Sequence, residues 1–351
     1  MITLIPLRIL SDNDVKNILD IKNTVICVEK AYALKANNQV RLFPMVSEVI
    51  FEGRAEMDIK SGMLNEEDVF GLKLVSWFGD NKNQGLPAIT GLTMLFDLKN
   101  GFPKAMINAS YLTGMRTGAA GSIGVKHLSK QDSKTLMIVG TGVQAIFQIA
   151  ATLSQVQTIN KVYIYDPVKY ENASKFEYSI KTELDKIIND INDTYNKSWK
   201  QRIESVQFVA VENPVKALEE TDAVITITPS QKPLIFKEWT KPGIHFSCVG
   251  ADMTGKQEID EKIFEVASVY VDDITQASTV GETQSAIRAS ILGKNNLTEI
   301  GQFILGNAKG RTSDEEITIF DSTGIALQDL AVSKYIVSKA EEMNVGTIVY
   351  I

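Results

Sequence analysis

The chain has 351 residues, a formal net charge of −7 and an ordinary hydrophobic share of 44%. Single cores rarely grow beyond roughly 250–300 residues, so two domains are expected. The charge is spread without a basic stripe, no run approaches the ~20 apolar residues of a membrane span, and the amino terminus carries no signal-peptide pattern. These features speak against nucleic-acid and membrane partners and for a cytoplasmic location.

Cys27 and Cys248 form no Cys-x-x-Cys pair and read as buried filler in a reducing compartment. The two histidines, His127 and His245, belong to no cluster with metal-ligand spacing, so no metal is expected. Acid–base chemistry then falls to Lys, Asp, Glu or Tyr, with pKa values shifted by burial and neighbours.

Residues 12–37 have helical periodicity, with Val15, Ile18, Leu19, Ile26, Ala33 and Leu34 on one broad face. After Pro44 the pattern becomes strands at 46–51, 57–64, 69–78 and 91–97, separated by polar breaks, and a tight turn at Lys99–Gly101 leads into another strand at 103–108. This predicts an antiparallel or mixed sheet. A helix rich in small residues starts at Ser110. Strands at 223–228, 245–250 and 268–272, with helical sequence between them, have the rhythm of a parallel sheet covered on both faces. Residues 170–202 read as an extended surface helix with a loop, with Phe176, Ile180, Leu184, Ile187, Ile188 and Ile191 at helical spacing. A strand at 316–321 closed by a polar turn and a helix at 326–342 end the pattern, so the carboxyl terminus returns to the first domain.

The most specific local signal lies between Gln131 and Asp166. An apolar strand at 134–140 runs into the turn Gly140-Thr-Gly142-Val143-Gln144-Ala145, then a helix, then a strand at 161–165 ending in Asp166. Gly140 permits the tight turn, Gly142 lets backbone N–H groups reach a pyrophosphate, and Ala145 is small where helix meets strand. A carboxylate at Asp166 accepts from adenosine ribose hydroxyls and repels a 2′-phosphate, so NAD is favoured over NADP, with Lys169 close enough to blur the preference.

Three ionic residues stand out elsewhere. Period-two alternation puts Lys73 on one face with Val69, Val75 and Trp77. An ammonium there needs an anion, such as a substrate carboxylate, or must snorkel from an edge strand. Arg116, among Gly, Ala and Thr, is placed to clamp a carboxylate through two parallel hydrogen bonds. Asp252 follows the strand at 245–250 on the side where a doubly wound sheet opens its ligand crevice; the alternative is a solvated loop acid.

Together these residues resemble the ornithine cyclodeaminase/mu-crystallin family. The resemblance runs in order through Gly71-Leu-Lys73-Leu-Val75, Met115-Arg116-Thr117, the glycine turn, Val249-Gly-Ala-Asp252 with Gly255-Lys256, and Phe320-Asp-Ser322-Thr323-Gly324. It implies a Rossmann-type doubly wound parallel sheet domain (113–317) inserted into an α+β substrate-binding and dimerisation domain (1–112 with 318–351), working as a homodimer. The implied reaction passes hydride between nicotinamide and the α-carbon of a small amino or imino acid.

By motif, Lys73 and Arg116 would hold the substrate carboxylate and Asp252 would be the acid/base, with Lys73 also at the chemistry. Thr323 would touch substrate. Gly140, Gly142, Val143, Gln144, Asp166, Thr228, Val249, Gly250, Ala251, Asp252, Lys256 and Ser322 would bind NAD, with Arg116 bordering it. The family's arginine two residues after the proline matched to Pro44 is Val46 here, leaving Arg41 or Arg54 as substitutes, and a threonine near the cofactor matches Ala88.

Lys60 replaces a region that receives ornithine's distal amine, and a cation there repels it. With Gly255–Glu258 and Gly281–Gln284, it makes the chain similar to the iminosuccinate reductase branch, where Lys60 would meet a distal carboxylate; otherwise Lys60 faces solvent. True ornithine cyclodeaminase activity and a non-enzymatic, crystallin-like binding role are the alternatives.

Overall fold

The computed structural model describes residues 4–187 and 193–351, apart from the side chains of Lys82 and residues 193–196. The chain divides into two compact units, one of Met1–Arg116 with Ile325–Ile351 and one of Thr117–Gly324. Residues 318–324, which the expected boundary assigned to the returning segment, lie in the second unit. Residues 113–116 lie in the first.

The first unit is built on an eight-stranded mixed sheet. Its order is Thr347–Tyr350, Pro6–Leu10, Pro103–Asn108, Ile89–Asp97, Val69–Phe78, Ala55–Leu64 and Val40–Leu42, with Val46–Phe51 also paired to Ala55–Leu64. The helices Ile21–Ala36 and Ala326–Met343 pack together, and the second lies on the central strands. Residues 12–37 are two helices rather than one, Asp12–Ile18 and Ile21–Ala36. Leu19 is extended, and the Asp20 side chain accepts from Asn23 N at 2.8 Å, so capping starts a new helix where apolar periodicity continues unbroken. Ile26 is accordingly exposed, not on the buried face.

The opposite sheet face is open and apolar. Val46, Ile59, Leu74 and Leu92 are cross-strand partners in one row over four strands, and Val46, Leu74 and Leu92 are exposed.

The second unit has an eight-stranded, wholly parallel sheet. Its order is Gln207–Val211, Lys161–Tyr165, Thr135–Val139, Ala223–Thr226, His245–Cys248, Ile317–Asp321, Ala267–Val271 and Leu297–Glu299. The chain adds two strands outward from Thr135–Val139, then crosses back to place Ala223–Thr226 on its other side. That reversal is a topological switch point, where open α/β sheets leave a ligand crevice at the carboxyl ends. A small parallel pair, Gln231–Ile235 with Gln257–Ile259, sits outside the main sheet.

The small residues after Thr117 serve packing. A Cβ at Gly118, in the helix Ala109–Leu128, would lie 2.4 Å from the backbone oxygen of Phe147, so the two helices meet nearly backbone to backbone where Gly118 faces Val143–Gln155. The charged stretch forms the helices Tyr170–Ile187 and Asp193–Glu204, with Ile180, Leu184 and Ile187 buried; Ile188 and Ile191 lie outside the described residues. Cys248 is buried and Cys27 partly so; neither forms a disulfide. Among the described residues, no helix is long and apolar enough to cross a membrane, and no group of three His, Cys, Asp or Glu is placed to hold a metal ion.

Candidate active site

In the first unit, alternation along Val69–Phe78 turns Val69, Gly71 and Lys73 inward beneath the helix Ala326–Met343. Lys73 is on a central strand and 3% exposed, so the snorkelling alternative fails. Its partner is Asp329, whose Oδ1 accepts from Lys73 Nζ at 2.9 Å. Arg116 Nε lies 3.1 Å from the same oxygen, and Arg116 Nη1 donates to Gln328 Oε1 at 3.0 Å. Gln328 in turn donates to the Tyr32 hydroxyl. Lys60 is the cross-strand partner of Lys73 and is also buried, so its side chain does not face solvent.

Asp329 and Gln328 are functional candidates that sequence reasoning missed. Asp329 lies 256 residues from Lys73, on an amphipathic helix with no motif of its own.

The electrostatics follow from this crowding. Burial, and then the nearby Arg116 guanidinium, bring the Lys73 ammonium down to about 7 against the opposing pull of Asp329. Burial pushes Asp329 up, but Arg116 and then Lys73 outweigh it and hold the carboxyl below its usual range. Asp329 also lies in the first turn of its helix, where backbone dipoles favour an anion. Its Oδ2 is buried without a hydrogen-bond partner. Neither Arg41 nor Arg54 belongs to this cluster: both are exposed, Arg41 over the Phe43 ring and Arg54 at 3.8 Å from Asp80.

In the second unit, the glycine turn stands at the switch point. Gly140 has φ +106°, a conformation that favours glycine, and a Cβ there would lie 2.8 Å from Thr228 Cγ2. Gly142 is different. A Cβ would meet nothing within 4 Å, and Gly142 caps the helix Val143–Gln155 without a side-chain hydrogen bond. Open space therefore lies beside Gly142 at the start of the helix, and Gln144 keeps a buried Oε1 without a hydrogen-bond partner. This arrangement fits a dinucleotide pyrophosphate.

Asp166 is held at the end of its strand. Its Oδ2 accepts from the Thr141 hydroxyl, and its Oδ1 accepts from Val168 N and Lys169 N, each at 3.0 Å. Burial raises this carboxyl, but those donors outweigh it and leave its pKa lowered.

Thr228, Val249, Ala251 and Ser322 are buried at or just beyond the carboxyl ends of adjacent strands. Asp252 is not enclosed: its side chain is 45% exposed and accepts from Lys256 Nζ at 2.5 Å. The Thr323 hydroxyl is directed into the unit, donating to Asp272 Oδ1 at 2.8 Å. Beneath these loops lie further acids, Glu258, Glu282 and Asp321, each fully buried. All three fell in stretches marked by the resemblance, but none was singled out there as a site residue.

A sequence model of the ornithine cyclodeaminase/mu-crystallin family matches residues 7–344. The chain belongs to that family. Within it, the alanine dehydrogenase of Archaeoglobus fulgidus is 35% identical over 340 residues, 97% of each chain. A solved archaeal alanine dehydrogenase dimer with bound NAD superposes with a TM-score of 0.85 at 33% identity, covering 98% of this chain and 99% of that one. The iminosuccinate reductase of Paracoccus denitrificans in complex with NAD+ gives a TM-score of 0.87 at 28% identity, covering 99% and 100%. Family membership agrees with the motifs in their order along the chain.

Proposed function

We propose that this protein is an NAD-dependent oxidoreductase acting at the α-carbon C–N bond of a small amino or imino acid. The observation that carries the substrate class is the gathering of Lys60, Lys73 and Arg116 around the carboxylate of Asp329 in a buried ionic cluster. A substrate carboxylate brought to Lys73 and Arg116 is held by two cations, and fixing it orients the α-carbon. Bound NAD supplies the acceptor or donor of hydride.

In this reading the N–H groups at Gly142, Val143 and Gln144 meet the pyrophosphate across the Gly140 turn. Asp166 meets the adenosine ribose, and Thr228, Val249, Gly250, Ala251, Lys256 and Ser322 line the rest of the cofactor site. Asp252, with Lys256 beside it, exchanges a proton with the substrate nitrogen or water, and Thr323 borders the substrate. The open apolar row Val46, Ile59, Leu74 and Leu92 is the proposed homodimer face, supported by its exposure and by the dimeric archaeal relative. The two unpaired cysteines support a cytoplasmic location.

A dicarboxylic substrate is favoured over ornithine because buried Lys60 stands directly across from Lys73. The test is a substrate panel followed at the nicotinamide absorbance. It contains alanine, aspartate, ornithine and lysine in the oxidative direction, and pyruvate or oxaloacetate with ammonia, and cyclic imines, in the reductive one. NADH oxidation that depends on an imino acid supports the proposal. NADH binding with no turnover of any member would favour a crystallin-like binding role.

A further inference from the structure

We infer that Glu258 is a positioning residue for the cofactor crevice, tying the loops after two adjacent strands so that Thr228 and Gly250 hold their places. The inference rests on the NAD reading above.

Glu258 comes from the small outlying strand Gln257–Ile259, yet its side chain reaches beneath the main sheet's carboxyl edge and is fully buried. Its Oε1 accepts from Thr228 N at 2.6 Å and from Thr228 Oγ1 at 2.8 Å. Its Oε2 accepts from Thr226 Oγ1 at 2.7 Å and from Gly250 N at 2.9 Å. Thr226 ends one strand, and Gly250 follows the end of its neighbour, His245–Cys248. One carboxylate therefore cross-links the two strand ends beside the switch point.

The fit is close on every side. A Cβ at Gly250 would lie 2.6 Å from Glu258 Oε1 and 2.3 Å from Thr228 O, so only glycine allows this approach. Glu258 is itself anchored, because its own N–H and that of Ile259 donate to the Glu282 carboxylate at 2.8 Å.

All four partners of Glu258 are donors, and two are backbone N–H groups that cannot turn away. A carboxylate accepts from all four. An amide cannot: whichever way Glu258→Gln turns, its NH2 faces either Thr228 N–H or Gly250 N–H, and that loop must shift. The volume is unchanged, so the damage should appear where the loops meet cofactor rather than across the whole core.

The experiment titrates NADH by fluorescence into the full chain and its variants, with thermal melting of each apo protein. As a stability control, Phe264→Leu thins the same unit's core, where Phe264 is 1% exposed. Glu258→Gln should weaken NADH binding roughly 10- to 100-fold, the scale of one lost hydrogen bond to a charged group, while the KM for the imino acid at saturating NADH stays unchanged. Phe264→Leu should lose melting temperature and keep its NADH affinity. Glu258→Gln binding NADH like the parent protein would overturn the inference. If Glu258→Gln fails to fold, Thr226→Val, which removes one donor, decides the matter: weaker NADH binding supports the inference and unchanged binding overturns it. Failure of the parent protein to bind NADH would overturn the functional reading, an outcome separate from either result with the variants.

Discussion

Lys73 and Asp329, 256 residues apart, meet as a buried ion pair at 2.9 Å, and Arg116 Nε lies 3.1 Å from the same carboxylate oxygen. Removing one partner of such a group leaves charge uncompensated in a low-dielectric site, at a cost of about 3–5 kcal/mol. Asp329→Asn should therefore destabilise the first unit by that order in urea unfolding. It should also lower the Lys73 pKa further, because Asp329 is what raises it. The catalytic efficiency toward the amino or imino acid should fall at neutral pH, with NADH affinity unchanged. An Asp329→Asn protein with the parent's stability and KM would remove this acid from the site.

The Lys73 pKa also gives a pH dependence with a definite sign. Burial and Arg116 bring it to about 7, so the ammonium is present below that pH and is lost as pH rises through it. Since the charged form attracts the substrate carboxylate, kcat/KM for the reductive reaction should fall above about 7. The bound carboxylate raises the Lys73 pKa, so kcat should hold to higher pH. Lys73→Arg, charged throughout, should abolish the fall in kcat/KM if the arm fits; a fall that persists in Lys73→Arg would point to another group.

How much of this site the sequence revealed depended on how local the signal is. The glycine turn and the acid at Asp166 are read from one short stretch, because strand, turn and helix each impose a residue type at fixed spacing. Alternation exposed the oddity of Lys73 in an apolar strand but not its partner, since Asp329 and Gln328 sit on a helix whose register against the sheet is set by packing. The break at Leu19 was missed because apolar spacing continues across it while a single Asp20 cap starts the second helix. Glu258 gave no signal beyond the resemblance: an acid between Gln257 and Ile259 reads as surface until the fold carries it under Thr228 and Gly250.

Arg116 offers a direct test of carboxylate recognition. It is 7% exposed and already bonded to Gln328, so its geometry is set before substrate arrives. Arg116→Ala should reduce kcat/KM by roughly 10- to 150-fold, equivalent to about 1.5–3 kcal/mol for a charge-assisted bond. NADH affinity should stay within a small factor. Equal efficiency in the variant would show that Arg116 is purely structural.

Asp166 should decide cofactor preference. Its carboxylate is fixed by Thr141, Val168 and Lys169 before any ribose arrives, and it stays ionised because those donors lower its pKa. NAD should bind more tightly than NADP at physiological salt. Asp166→Ser should narrow the gap chiefly by weakening NAD, since the loss of the acceptor also frees the Val168 and Lys169 turn. Equal affinities in the parent protein would disprove the assignment.

Lys60 separates the candidate substrates by the sign of their distal charge. It is 9% exposed and directly across from Lys73, and its positive charge is one of the influences that lower the Lys73 pKa. A second carboxylate on the substrate would be attracted to this corner, whereas a distal ammonium would meet like charge in a desolvated setting, costing several kcal/mol. Lys60→Met keeps the apolar stem and removes the charge. It should cut efficiency on a dicarboxylic imino acid by about 10-fold or more, the scale of one charge-assisted contact, and leave a monocarboxylic one little changed. Lys60→Glu should go further and begin to admit ornithine. Steady-state kinetics with oxaloacetate plus ammonia against pyruvate plus ammonia would measure the switch. Equal losses on both substrates would mean that Lys60 acts only through the Lys73 pKa and makes no contact with the distal group.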